Sequence, residues 1–579
     1  MRDLDRRRLL REAALAGGGL ALSSLLPGWA RAAPPGAGQA MPSVAGDDIA
    51  LTIDHARWTV DGRSGHAMAV NGTLPGPLIR LKEGQNVRLS VTNRLAETAS
   101  IHWHGMLVPF QMDGVPGVTF PGIPAGQTFV YEFPIIQSGA YWYHSHSGLQ
   151  EQEGVYGPIV IEPKDPDPVA YDRDYVVMLS DFSFMHAHKI FEKLKQDAEV
   201  FNYQHQTIAG LLAGKDQTPR ERTEWARMLM EPTDISDVTA AAYTFLINGH
   251  GPADNWTALF KPGERVRLRF INAGSQTVFN VRIPELKMTV VAADGQNIRP
   301  VEVDEFQIGN AETYDVIVQP TEDRAFTLVA EAVDRSGMGR ATLAPRLGMT
   351  APVPPLRPRP LANMRAMGMD MGAMPGMTMA PGATMPGMNM AGLDMSMRNP
   401  RNAPQVKLGP GVETIAPMPM DRTGEPGLGL ASVGHRVLVY QDLVALEPNP
   451  DPRPPSRTLE IHLTGNMERF MWGFDGEKFN EAATKPYPFR EGERVRVTLV
   501  NDTMMAHPIH LHGHFFELVS GPDGHRPRKH TVIVLPGGKV SWDFTPLIGD
   551  WAFHCHMLYH MHAGMFRVFS VRPSQGVAA

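Results

Sequence analysis

Val87-Arg88-Leu89-Ser90-Val91-Thr92-Asn93 returns twice along the chain, as Val266-Arg267-Leu268-Arg269-Phe270-Ile271-Asn272 and as Val495-Arg496-Val497-Thr498-Leu499-Val500-Asn501. Each copy alternates in side-chain character, as a strand with one buried face does. Each follows a glycine turn, Glu83-Gly84, Pro262-Gly263 or Glu491-Gly492, and a second turn lies upstream at Asn71-Gly72, Asn248-Gly249 or Asp475-Gly476. Short strands with Pro/Gly turns, repeated three times, predict an all-β chain of three copies of one β-sandwich. We place the copies at 45–165, 170–345 and 430–573. Residues 185–240 are richer in Ala, Glu, Lys and Leu and read as a partly helical insertion in the second copy. Residues 350–425 are rich in Met, Pro and Gly and read as a linker before the third.

The histidines occupy matched places in these repeats. Nine residues beyond Asn93 comes His102, in His102-Trp103-His104; nine beyond Asn501 comes His510, in His510-Leu511-His512. The same offset in the second copy lands on Val281 and Ile283. A second pair follows in the first and third copies, His144-Ser145-His146 and His554-Cys555-His556. Residues i and i+2 of a strand share a face, so each pair aims two imidazoles at one point. Eight imidazoles from two homologous domains can then converge between them. A lone His-x-His is usually a surface or core feature; four at matched repeat positions are a metal site. Imidazole suits copper, zinc, iron and nickel.

Cys555 selects among these metals. It is the only cysteine of 579 residues, so the chain has no internal disulfide. Lying between His554 and His556, its thiol points to the opposite face of an extended strand, toward a different ion. His507, His560 and Met565 are the further ligands at hand, and two His, one Cys and a weak Met are the blue-copper electron-transfer set. Zinc has no redox chemistry and could not serve. Electrons arriving at such a copper would leave through the Cys555 backbone to His554 and His556. In the first copy Ser145 stands where Cys555 stands in the third, so that copy has no blue site.

Four stretches, HWHG at 102–105, HSHSG at 144–148, HPIHLHGH at 507–514 and HCHMLYHMHAGM at 554–565, resemble the signatures of multicopper oxidases, over nearly the whole chain beyond its N-terminus. The resemblance implies cupredoxin-like Greek-key domains and four coppers. It gives His102 and His510 to type 2 copper, and His104, His144, His146, His512, His554 and His556 to the type 3 pair. His507, Cys555, His560 and Met565 go to type 1. His514 then reads as a histidine behind the ligands or in the core. Leu463–Arg469, Asn501–Met505, Pro527–Thr531 and Gln111–Gly117 are similar to the copper-resistance protein A branch, which implies copper tolerance in the periplasm. Related oxidases usually carry one acid in the first domain and another within the HCH signature. Asp113 matches the first. The second is missing: Leu558, Met561 and His562 stand where relatives have acids, so Asp113 is expected to carry more of the proton delivery, with His562 as a substitute donor.

Asp5-Arg6-Arg7-Arg8, an apolar run from Ala13 to Leu26 and Ala30-Arg31-Ala32 look like a twin-arginine signal over residues 1–32. The run has 14 residues, too few to span a bilayer, so no stable membrane insertion is expected. A net charge of -7 and a pI of 6.3 argue against nucleic acid as a partner. Twelve methionines lie between Met364 and Met397, among Gly and Pro that break any helix; they read as a thioether surface for additional Cu(I), or as a plain flexible linker. The expected reaction oxidises Cu(I), or phenols, and reduces dioxygen to water. A laccase-like phenol oxidase and a copper-sequestering protein with incidental oxidase activity are the rivals. Glu477 and Glu481 are candidates for approaching type 1 copper, or ordinary solvated surface.

Overall fold

The computed structural model describes residues 41–227, 231–363, 397–480 and 484–574. The expected export segment, nearly all of the methionine-rich stretch and Glu481 lie outside these residues.

Each repeat is a pair of sheets closed over an apolar core. In the first, Arg63–Val70, Asp48–Val60, Asn86–Asn93 and Thr128–Pro134 form one sheet, in that order. Ser43–Ala45, Leu78–Lys82, Tyr156–Glu162, Gly139–His144 and His102–His104 form the other. Val87, Leu89 and Val91 from the first sheet are buried with Ile79, Leu81, Ile159 and Ile161 from the second. The second and third repeats use the same plan, and the repeated strand keeps its parallel partner in all three. Asp48–Ile53 lies beside Arg88–Asn93, Arg173–Leu179 beside Val266–Asn272, and Arg457–Leu463 beside Val495–Asn501.

The repeat asparagines explain why the chain turns alike three times. Asn93, Asn272 and Asn501 each accept the backbone N–H two residues on, all at 2.9 Å, and each donates to two backbone carbonyls. An Asx turn of this kind ends the strand and fixes the start of the next loop. That loop leads to the histidine strands in the first and third repeats. In the second it leads to Phe279–Arg282, where Val281 and Ile283 are fully packed in the core.

Four strands carry the histidines: β1 (His102–His104), β2 (Gly139–His144), β3 (His507–Leu511) and β4 (Gly549–Cys555). β1 pairs with β2 so that His102 faces His144, and β3 pairs with β4 so that His510 faces His554. Three short helices complete the setting: α1 (Gln150–Glu153), α2 (Ala187–Gln196) and α3 (Leu558–Ala563). α2 opens the expected insertion, which continues in helices Ile208–Leu212 and Pro219–Arg227. The expected linker is fastened at both described ends. Arg357 Nη2 is 2.6 Å from Glu305 Oε1, and Ala416 N donates to Asp502 Oδ1 at 2.8 Å.

Candidate metal centres

Eight imidazoles meet between the first and third repeats. His102 stacks on His512 and His104 on His510, each pair with centroids 3.8 Å apart. His554 Nε2 is 3.0 Å from His512 Nε2 and 3.3 Å from His146 Nε2, and His144 and His556 are 5.0 Å apart. Rings this close, most of them paired across some four hundred residues of sequence, have an ion as their natural centre. Burial, and then the mutual repulsion of the rings, holds His104, His144, His146, His510, His512 and His556 well below the ordinary imidazole range. Burial pushes His554 down to about 4. Neutral rings are what a metal ligand requires.

The far nitrogens are held from behind, which sets the orientation of each ring. His102 Nδ1 donates to the Asp113 carbonyl at 2.7 Å, His510 Nδ1 to the His530 carbonyl at 2.7 Å, and His554 Nδ1 to the Cys555 carbonyl at 2.9 Å. His512 Nδ1 donates to Asp113 Oδ2 at 2.8 Å and His144 Nδ1 to Glu151 Oε2 at 2.7 Å. Their Nε2 atoms are left facing inward. His104 is turned the other way: its Nε2 lies 3.2 Å from His530 Nδ1 and its Nδ1 faces in. Asp113 thus holds His102 of its own repeat through its backbone and His512 of the third repeat through its side chain. The backbone after it has no room for a side chain: a Cβ on Gly114, at φ +83°, would meet the Ile101 carbonyl at 1.8 Å.

A second centre lies on the other face of β4. Cys555 Sγ is 3.6 Å from His507 Nδ1 and 3.7 Å from His560 Nδ1, and the two nitrogens are 3.2 Å apart. Cys555 stands opposite Ile509 on β3, two residues from His507 and so on the same face, while His510 and His554 take the opposite face. His507 Nε2 meets Thr503 Oγ1 at 2.7 Å and His560 Nε2 meets Asp237 Oδ2 at 2.7 Å. The Trp472 indole stacks on His560 at 4.0 Å. Met565 is buried, with its carbonyl accepting from Cys555 N at 3.1 Å. Burial drives the Cys555 thiol upward, so an ion must displace its proton to bind.

Residues 52–166, 173–347 and 452–575 each match a multicopper oxidase family. A copper resistance protein A homolog from Pseudomonas syringae pv. tomato is 47% identical, over 95% of this chain and 97% of its own length. The chain belongs to the multicopper oxidase family. Copper resistance protein A of Escherichia coli is 46% identical, over 91% of this chain and 92% of its own. Among solved structures, the iron-import multicopper oxidase Fet3p superposes with a TM-score of 0.62 at 18% identity, covering 91% of this chain and 90% of its own.

Copper, the metal of this multicopper oxidase family, fits the residues present. His102 Nε2, His144 Nε2, His510 Nε2, His104 Nδ1 and both nitrogens of His556 are buried without a protein partner. Leaving such an atom unpaired costs about 1–3 kcal/mol, which a bound ion removes. The thiol and two imidazoles of the second centre are a soft donor set suited to copper.

The remaining sequence candidates fall elsewhere. His514 bridges the His512 carbonyl at 2.8 Å and Leu547 N at 2.9 Å, behind the ligands. His562 Nε2 donates to the Gly148 carbonyl at 2.6 Å and is occupied there. Glu477 pairs with Lys407 and, at 2.8 Å, with Arg567. Sequence reasoning missed Glu151, Asp237, Thr503 and His530. Glu151 sits five residues past His146 in Gln150-Glu151-Gln152-Glu153, where nothing marks which acid turns inward. Asp237 belongs to the insertion and reaches His560 only through the tertiary fold.

Proposed function

We propose that this multicopper oxidase holds four copper ions, takes electrons from Cu(I) and delivers them to dioxygen, acting outside the cytoplasm in copper tolerance. His507, Cys555, His560 and Met565 would hold type 1 copper, and His102 and His510 type 2. His104, His144, His146, His512, His554 and His556 would hold the type 3 pair. Copper would supply the electron transfer and the dioxygen chemistry that no side chain here provides. The chain does the rest. Thr503 and Asp237 aim His507 and His560 at Cys555, and the Cys555 backbone joins that centre to His554 and His556. Asp113 and Glu151 stand at the cluster as carboxyl groups able to pass protons. A cavity of about 500 Å³ reaches His146, the one cluster histidine that is not fully buried, and suits entry of a small gas.

The observation that carries Cu(I) is a second cavity, of about 220 Å³, beside the thiol centre. Asp197, Glu199, Glu231, Asp234, Glu413 and Glu468 line it with Met467 and Met504. Carboxylates draw in a cation and thioethers favour the soft cuprous ion. Asp234 Oδ1 is buried with no partner. Burial, then Asp237, Glu199 and Glu231, pushes Asp234 well above the usual carboxylate range. Asp234 is three residues from Asp237, which meets His560 Nε2, and Met504 is next to Thr503, which meets His507 Nε2, so the cavity lies near the outer side of the thiol centre. His507 and His560 are themselves fully buried, and Phe191 of α2 stacks at 5.9 Å on Tyr559, the residue before His560. The cavity offers a small cation a way toward these covered rings.

The twin-arginine-like segment supports export to the periplasm, and the copper-resistance names of relatives near 47% identity support the tolerance role. Among the described residues no helix is long and apolar enough to cross a membrane. Steady-state dioxygen uptake tests the cavity. Met467→Leu with Met504→Leu should raise the KM for Cu(I) by about tenfold, roughly the loss of 1.4 kcal/mol of binding, and leave phenol oxidation unchanged. Equal change on both substrates would reject it.

A further inference from the structure

His55, His66, His186 and His188 stand outside both centres, on the surface of the first and second repeats. His55 and His66 lie on the neighbouring strands Asp48–Val60 and Arg63–Val70. His55 Nδ1 is 3.0 Å from His66 Nε2. The other nitrogen of His66, Nδ1, is 3.3 Å from Glu153 Oε2. The second oxygen of Glu153 is 3.0 Å from His186 Nδ1 and accepts Ala187 N at 2.6 Å. The His186 ring stacks on His66 at 5.0 Å. His188 and Met68 line the same cavity, of about 350 Å³, with His55, Glu153 and His186.

We propose that this cluster is an additional copper site, separate from the core centres, in which His55 Nδ1 and His66 Nε2 bind Cu(II). Two imidazole nitrogens sharing an ion at roughly 2.0–2.1 Å each stand about 3 Å apart when they occupy neighbouring coordination positions, which is their spacing here. His66 has the arrangement of a metal-bound histidine: one nitrogen on the ion position, the other on a carboxylate that fixes the ring. That carboxylate is largely buried, at 9% side-chain exposure, so its negative charge acts beside the site with little water to screen it. Among divalent first-row ions, Cu(II) binds such nitrogen donors most tightly. The cavity leaves room for water and for His188 to complete the coordination.

The site is joined to the core by one short element. α1 ends at Glu153, whose carboxylate faces the surface histidines, and carries Glu151, whose carboxylate meets His144 of the buried cluster. An exposed ion would therefore sit within a helical turn of the groups that orient the cluster.

Equilibrium dialysis of the copper-loaded enzyme against Cu(II) buffered with glycine, read by metal analysis and electron paramagnetic resonance, tests the proposal. Using Cu(II) keeps the thioethers of the methionine-rich segment, which favour Cu(I), out of the measurement. One further Cu(II) per chain should bind, with hyperfine structure from two nitrogens. His55→Ala with His66→Ala should abolish it while the blue colour and core copper are retained, and Glu153→Gln should weaken it about 10- to 100-fold. If the double variant fails to fold, His66→Ala alone should remove the two-nitrogen signal. No added ion, leaving a plain hydrogen-bonded chain of histidines, would overturn the proposal. So would an added ion that persists with its spectrum unchanged in the variants.

Discussion

Glu151 Oε2 stands 2.7 Å from His144 Nδ1, and its other oxygen faces His556 Nδ1 at 4.0 Å. We propose that Glu151 supplies, from the first repeat, the acid absent from the stretch after Cys555. Burial, then Asp181, pushes Glu151 well above the usual carboxylate range.

Glu151→Gln retains an acceptor for His144 but has no proton to give. Turnover should fall by roughly 10²-fold, the lower end for loss of a general acid–base group, with copper content unchanged. Asp113→Asn should do the same, since Asp113 Oδ2 faces His512. Rapid mixing of each reduced variant with dioxygen should show the cluster oxidising and then stalling before water is released. Near-normal turnover in either fully metallated variant would place the proton path elsewhere.

Cys555→Ser should abolish the blue absorption and turnover but leave up to three coppers, because its sulfur lies on the opposite face of β4 from His554 and His556. Metal analysis with visible spectroscopy checks this. A serine variant that remains blue would refute the thiol-centre assignment.

The metal-free protein should lose stability as pH falls. His514 and His554 are both pushed down to about 4 by burial from an ordinary 6.5. Between about 6.5 and 4 the unfolded chain binds protons that the folded chain does not, so folding weakens with acidification. Each such histidine contributes about 1.4 kcal/mol per pH unit within that window, and none above it. Melting temperatures of the metal-free protein should be level above about pH 7 and drop steeply below 6.5. Copper loading should blunt the drop, since bound rings cannot take protons until the ion leaves. A flat profile down to pH 5 would contradict the buried neutral rings.

Much of this was legible in the sequence because repetition carried it. The Asn93, Asn272 and Asn501 strand ends and the matched His-x-His offsets locate eight of the convergent rings, and strand alternation alone separates Cys555 from its flanking histidines. What the sequence does not carry is the far side of each ring. Asp237 meets His560 from 323 residues away, and Glu151 faces inward only because α1 folds under the cluster. His562 matches a family acid position, yet α3 turns it onto the Gly148 carbonyl. These pairings depend on tertiary packing, for which neither period nor motif gives a signal.

Deleting residues 364–397 should leave the four core coppers and the blue colour in place, because the chain on either side is anchored separately, by Arg357 and by Ala416. Cu(I) oxidation should weaken while activity on bulky phenols is spared or raised. Equal loss on both substrates would make the segment structural; no loss on either would make it a plain linker.

Dioxygen uptake measured side by side with Cu(I), a phenol and Fe(II), against Cys555→Ser as the inactive control, tests the central claim most directly. The expected result is saturable uptake with Cu(I) as the best substrate, four Cu(I) consumed for each dioxygen and no peroxide released. Uptake with Cu(I) no faster than in the serine variant, or a phenol preferred over Cu(I), would contradict it.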